Sequence, residues 1–287
     1  MITLQNNFLK ASITPHGAEL RSLLTADGKE ILWQADAIYW AKTSPVLFPV
    51  VGALKDGFYT YNNENYKMPR HGFARDMLFE HEFLSDTSIR FTLKSNEETR
   101  KIYPFDFILR IEYLLKDNNL TCCYTVENPG AVPLYFSVGA HPAFLLGTTK
   151  EDFEGYGLDF PDDDELSCSV LHNGLTGNGT KTLKLQNRVL PLRYDLFYED
   201  ALVMKSMKSN EIHLRNRKDG FVMKFRFEGF PYFGIWSAPD ANFICLEPWC
   251  GIADSVDHTN NIEEKEGIIL LNTKETFTRN WSVVIGQ

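Results

Sequence analysis

The chain has 287 residues, 44% of them hydrophobic and 23% charged, a balance that excludes a disordered polypeptide and suits one large all-β domain spanning 1–287. With 29 Lys+Arg against 38 Asp+Glu the formal net charge is −9, which argues against a nucleic-acid partner. Aromatic residues reach 13% (21 Phe, 12 Tyr, 5 Trp), which favours half-buried strands and keeps sugar stacking in view, although core packing claims most such rings.

The N-terminus, Met1 to Lys10, has neither a basic leader nor a long apolar run, so no signal peptide is expected. The next segments, Leu9–Thr14, Glu30–Trp33 and Phe58–Asn62, look like short strands. The apolar run Pro45 to Leu54 is too short and too broken by Pro and Gly to span a bilayer. A cytoplasmic protein with no membrane partner is the expectation. Ile89–Lys94 reads as another strand, and Ser95-Asn-Glu-Glu98 has capping-box spacing for a short helix ending before Pro104.

From Phe105 to Leu115 every odd position is apolar (Phe105, Phe107, Leu109, Ile111, Tyr113, Leu115), while Asp106, Arg110 and Glu112 occupy even ones. Such alternation marks a strand with one buried face. A turn at Asp117-Asn118-Asn119 and a second alternating run, Leu120 to Val126, complete an antiparallel hairpin. Leu134–Val138 follows as a strand. Asp162–Glu165 and the Gly-containing Asn173–Thr180 read as loops. Phe221, Met223, Phe225 and Phe227 repeat the alternation, and Phe233–Trp236, Phe243–Leu246 and Phe277–Ile285 close the chain as strands. Helical signal is scarce, so the expected architecture is two stacked antiparallel sheets over one core. An exposed sheet edge leaves a homodimer open.

Five cysteines, an odd number, with no CxxC and no Cys/His cluster at zinc spacing, point to reduced, buried thiols. Alternation sends Cys122 and Cys123 to opposite faces. The sequons at Asn119, Asn178 and Asn280 are chance matches in the absence of a leader.

Two segments share one device. The apolar strand ending Gly139-Ala-His141-Pro142 and the one ending Leu246-Glu247-Pro248-Trp249 each stop at a polar residue held extended by the following Pro. An imidazole and a carboxylate fixed in this way make a general acid/base pair, with structural polar groups an equally good reading of the spacing. Met68-Pro-Arg70-His71-Gly72-Phe-Ala-Arg75 reads on its own as an exposed turn. His16, His81, His172, His213 and His258 have no partner pattern and are assigned to the surface.

In this order, His71-Gly-Phe-Ala-Arg75, Val138-Gly-Ala-His141-Pro-Ala-Phe144 and Leu246-Glu247-Pro248-Trp249 resemble the aldose 1-epimerase (galactose mutarotase-like) superfamily, and most closely its LacX-like branch. Pro45–Gly52, Leu196–Leu202 with Asp200, and Lys265–Leu271 extend the resemblance along nearly the whole chain. It implies a supersandwich of large antiparallel sheets and an isomerase that interconverts the anomers of a free hexose with neither metal nor organic cofactor. It further implies Glu247 as general base at the anomeric hydroxyl, His141 as general acid at the ring oxygen, His71 as its assistant and Asp200 as a sugar ligand. Trp249 can lie beside the pocket. A His pKa near neutrality suits the acid role.

One departure stands out. Galactose mutarotases carry a sugar-binding Arg soon after the residue matching Gly52, whereas here the chain reads Gly52-Ala53-Leu54-Lys55. Arg75, Arg70 and Lys55 are the cations left for that contact. They also keep a hexose-6-phosphate epimerase in consideration. A non-catalytic sugar-binding protein on the same fold is the third reading, disfavoured because a lectin needs no acid/base pair.

Overall fold

The computed structural model describes residues 1–218, 220 and 222–286. Two large antiparallel sheets dominate. The first has nine strands in the spatial order Val189–Pro191, Tyr156–Asp159, Glu211–Asn216, Val222–Arg226, Thr276–Ile285, Asn119–Glu127, Ile108–Lys116, Ser88–Lys94 and Glu80–Ser85. The second, of eight strands, runs Leu175–Lys184, Glu165–His172, Leu202–Met204, Tyr232–Trp236, Phe243–Cys250, Val138–Ala140 and Val46–Leu47, with Ala143–Leu145 also paired to Phe243–Cys250. Phe225 of the first sheet touches Phe144 and Phe233 of the second, so the two inner faces meet through aromatic rings. Among the described residues no helix is long and apolar enough to cross a membrane.

Alternation explains the central hairpin. Leu109, Ile111, Tyr113 and Leu115 are buried and pair in register with Val126, Tyr124, Cys122 and Leu120. The ladder begins only at Ile108, yet Phe105 and Phe107 keep the buried phase ahead of it. Cys122 is buried and Cys123 half-buried, on opposite faces as expected, and all five thiols are free. Of the alternating run near the chain's end, Phe221 lies outside the described residues, while Met223, Phe225 and Phe227 are buried.

Several expectations change. The short helix is Glu97–Ile102, but its cap is Asn96, which forms a reciprocal box with Thr99 in place of Ser95 with Glu98. An amide oxygen caps as well as a hydroxyl, and Thr99 satisfies the Asn96 N–H. Glu30–Trp33 is not a strand but holds two isolated bridges, and the Glu30 carboxylate also accepts from the Leu23, Ile31 and Leu32 N–H groups. Leu134–Val138 splits, its two halves joining different sheets. Asn173–Thr180 is a hairpin: Asn173 (φ 52°) and Gly174 (φ 79°) make its two-residue turn, and the strand Leu175–Lys184 follows at once.

The strand read as stopping at Glu247 runs on through Pro248 to Cys250. Leu246 donates its N–H to the Pro142 carbonyl (3.2 Å), and residue 248 turns the same edge to that neighbour. In that register Pro248 faces Ala140, and its missing N–H leaves one ladder bond unmade there.

Candidate active site

The site lies where this ladder is interrupted. Val138–Ala140 ends at His141-Pro142, and Ala143–Leu145 resumes against the same neighbouring strand in unchanged register. His141 is thereby set across from Glu247, with Nε2 to Oε2 at 3.2 Å. Both are buried, at 8% and 2% exposure, and both line a cavity of about 300 Å³. Glu247 Oε2 and His141 Nδ1 have no hydrogen-bond partner, an unusual condition for buried polar atoms and one that marks a place for a ligand.

The third group, His71, sits in left-handed backbone (φ 68°) immediately before Gly72 (φ 72°). A Cβ at Gly72 would lie 2.2 Å from the Phe48 carbonyl oxygen, so only glycine lets the chain pass there. The His71 N–H donates to the Gly52 carbonyl (2.9 Å), and the Gly52 N–H donates to His71 Nδ1 (3.1 Å). Nδ1 is thus an acceptor. In the neutral ring the proton is then on Nε2, which makes that nitrogen a donor. The His71 ring meets the His141 ring edge-on at 5.6 Å.

Two tryptophans complete the aromatic wall. Trp40 stacks on His141 (4.8 Å, 25° between planes), and Trp236 meets it edge-on at 5.7 Å. Trp33 donates its indole N–H to the Trp40 carbonyl, and buried Glu19 accepts from the Thr43 and Ser44 N–H groups, so the loop carrying Trp40 is tied at both ends. Trp249 lies over backbone: a Cβ at Gly139 would fall 2.7 Å from its ring, and one at Gly234 would fall 2.6 Å from it. The strands on either side of Trp249 are smooth where the indole rests.

Burial pushes His141 down to about 3, with Arg75 and Arg70 adding to the effect, so the expectation of a near-neutral imidazole is corrected. Burial also pushes Glu247 well above the usual carboxylate range, Asp200 reinforcing and Arg70 opposing. His71 is lowered chiefly by burial, then by His141. Low dielectric thus drives both members of the His141–Glu247 pair toward their uncharged forms. In those forms the pair carries one titratable proton, on Glu247, and is net neutral.

Of the eight residues singled out from the sequence, seven line this cavity: His141, Glu247, His71, Asp200, Arg75, Arg70 and Trp249. The segment Met68–Arg75 is therefore not a solvated turn, although Arg70 itself is exposed. Arg75 donates to the Arg70 carbonyl, its Nε pairs with Asp76 Oδ2 at 3.7 Å without a hydrogen bond, and the Arg70 guanidinium rests against Gly174. Lys55 is absent from the lining and donates to the His258 carbonyl. Two histidines assigned to the surface are inside. His213 lies between Glu211 (2.7 Å) and Asp159 (3.6 Å), and the His258 side chain is 8% exposed near Asp254.

The far wall, Leu171, Gly174 and Thr176, comes from the edge hairpin, and Trp40 and Trp236 were not anticipated. Behind it Asp254 joins several segments. It accepts from the buried Lys265 ammonium (2.7 Å) and the Lys55 N–H (2.9 Å), and its carbonyl accepts the Thr176 N–H (2.9 Å). This holds Ile252 and Ala253 against the cavity beside Gly52.

The family model described as aldose 1-epimerase matches residues 1–282. The chain belongs to the aldose 1-epimerase family. It is 32% identical to the chromosomal LacX protein of Lactococcus lactis over 99% of both chains. Among solved structures, it is similar to a galactose mutarotase related enzyme from Lactobacillus acidophilus, with 36% identity, a TM-score of 0.94, and 100% and 97% of the two chains covered. A galactose mutarotase-like protein from Lactobacillus casei superposes with a TM-score of 0.92 at 30% identity over both full chains. The expected fold is therefore the observed one.

Proposed function

We propose that the protein is an aldose 1-epimerase acting on a free hexose. The observation that carries this reading is the His141–Glu247 pair, 3.2 Å apart on the wall of a monosaccharide-sized cavity, with a buried oxygen and a buried nitrogen left unpartnered. Ring opening needs a proton removed from the anomeric hydroxyl and one delivered to the ring oxygen. Glu247, as the carboxylate, takes the first. The electrons form the C1 carbonyl as the bond from C1 to the ring oxygen breaks, and His141, as imidazolium, supplies the second proton. The pair's single proton meets this requirement once it passes from the Glu247 carboxyl to His141, which leaves the site without net charge. Rotation about C1–C2 and the reverse steps give the other anomer. His71 Nε2–H donates to the ring oxygen or a neighbouring hydroxyl, and Asp200 accepts from hydroxyls.

Polarimetry tests the reading. Freshly dissolved α-glucose or α-galactose should equilibrate faster with the protein, and Glu247→Gln should remove at least about 10²-fold of that rate. A spontaneous rate unchanged for all common aldoses and their 6-phosphates would sink it. Sugar binding by calorimetry without acceleration would instead support a non-catalytic carbohydrate-binding role.

A second reading, a hexose-6-phosphate epimerase, is favoured by one observation: Arg70 and Arg75 both line the cavity. An Escherichia coli protein provisionally named glucose-6-phosphate 1-epimerase is 29% identical over 48% of this chain. Comparing kcat/KM for glucose and glucose 6-phosphate, in wild type and in Arg70→Ala, separates the two.

A further inference from the structure

Cys245 stands two residues before Glu247 on the same face of the strand, across the ladder from Ala143. One donor atom from each of His141, Cys245 and Glu247 falls within 4.8 Å of the others, and all three residues are buried. The sequence hid this cluster because its ligands come from strands about a hundred residues apart. We propose that His141, Cys245 and Glu247 form a binding site for a thiophilic divalent cation, of which zinc is the type, and that occupancy shuts off sugar turnover.

The geometry supports three ligands and one open position. A tetrahedral ion about 2.1 Å from two light donors sets them roughly 3.3 Å apart. His141 Nε2 and Glu247 Oε2 already stand at 3.2 Å. Sulfur in such a site lies roughly 3.6 Å from each of them, so Cys245 needs an approach of about 1 Å. Imidazole, thiolate and carboxylate together suit borderline-soft Zn²⁺ over Mg²⁺ or Ca²⁺. On binding, the thiol and the carboxyl release their protons to solvent, and the two anions neutralise the dication. The fourth position opens into the cavity. The ion would hold both groups of the proposed acid/base pair, so it competes with sugar.

The outer shell argues for reversible inhibition over a resident ion. A metal-bound imidazole ordinarily donates its other N–H to a fixed acceptor, whereas His141 Nδ1 has none. The inhibition rests on the mutarotase reading, while the metal site itself does not. The tests therefore read binding and activity separately.

The full chain, titrated with Co²⁺, should develop a sulfur-to-cobalt charge-transfer band in the near ultraviolet, displaced by Zn²⁺ and erased by EDTA. Zinc should inhibit mutarotation competitively and reversibly. Cys245→Ala should keep the metal-free rate, lose the band and weaken inhibition by more than about tenfold, since even outer-shell losses cost 10–100-fold. Cys250→Ala should behave as wild type. If Cys245→Ala does not fold, Cys245→Ser serves in its place. Lack of a thiolate band in wild type at millimolar Co²⁺, or its persistence without Cys245, would overturn the proposal. A wild-type band in a protein without mutarotation would uphold the site and refute only the proposed function.

Discussion

The buried imidazole has a thermodynamic signature that can be measured without any sugar. In the folded chain His141 is pushed from 6.5 down to about 3, mainly by burial. Below pH 6.5 the unfolded chain takes up a proton at this residue and the native chain does not. The stabilising contribution is therefore complete above 6.5 and is lost as pH falls toward 3. Across the whole window the loss is about 5 kcal/mol, from 3.5 units at about 1.4 kcal/mol each. Between pH 7 and pH 5, where the fold can still be studied, it is about 2 kcal/mol. His141→Gln has no proton to gain. Urea denaturation of both proteins at the two pH values should show wild type losing about 2 kcal/mol more than the variant. If wild type instead gains stability relative to the variant as pH falls, the resting state is a Glu247–His141 ion pair and the two groups are not in their uncharged forms.

Three further outcomes follow from the geometry around the pair. Gly52→Ala places a Cβ 2.5–2.7 Å from Ala253 at φ 75°, which should cost about 1–3 kcal/mol in urea melts. Because Gly52 also holds His71, the same variant should lower kcat more than its stability loss explains. Lys265→Met strips the buried Asp254 carboxylate of its ammonium, and calorimetry should show a loss of about 3–5 kcal/mol. A loss below 1 kcal/mol would mean that Asp254 is held well enough by the Lys55 N–H alone. Trp40→Ala removes the ring stacked on His141, worth about 0.5–1.5 kcal/mol, so kcat/KM in polarimetry should fall roughly two- to tenfold while Tm changes little.

What the sequence disclosed follows from how each strand meets water. The hairpin Ile108–Glu127 was legible because one face is buried and the other is not, and the residues say so in strict alternation. Phe243–Cys250 is buried at every position, so its apolar run carries no period and Pro248 passed for a stop. Leu175–Lys184 and Glu80–Ser85 lie at sheet edges and are mostly exposed, so the start of the first read as a loop and the second gave no strand signal. Asn173-Gly174 was the one local signal that a hairpin was present. At the site, residue types with distinctive chemistry, His141, Glu247 and His71, could be found through short motifs. Trp40 and Trp236 could not, because a tryptophan beside a pocket and one in a core look the same until the chain is folded. Neither could Cys245, whose nearness to His141 exists only through strand pairing.

The edge hairpin that carries Leu171, Gly174 and Thr176 is joined to the next strand of its sheet through the single pair Cys168–Met204, and its register shifts between Ser169 and Leu171. His141 and Glu247, by contrast, stand in the middle of that sheet, among strands bonded on both sides. The cavity is thus assembled from parts of unequal firmness. Local opening of the hairpin would widen the outer rim, where Arg70 rests on Gly174, without moving His141 and Glu247. Substitutions along the hairpin can therefore reshape the rim of the cavity while leaving the His141–Glu247 geometry intact, so the breadth of the opening and the spacing of the pair can be varied independently.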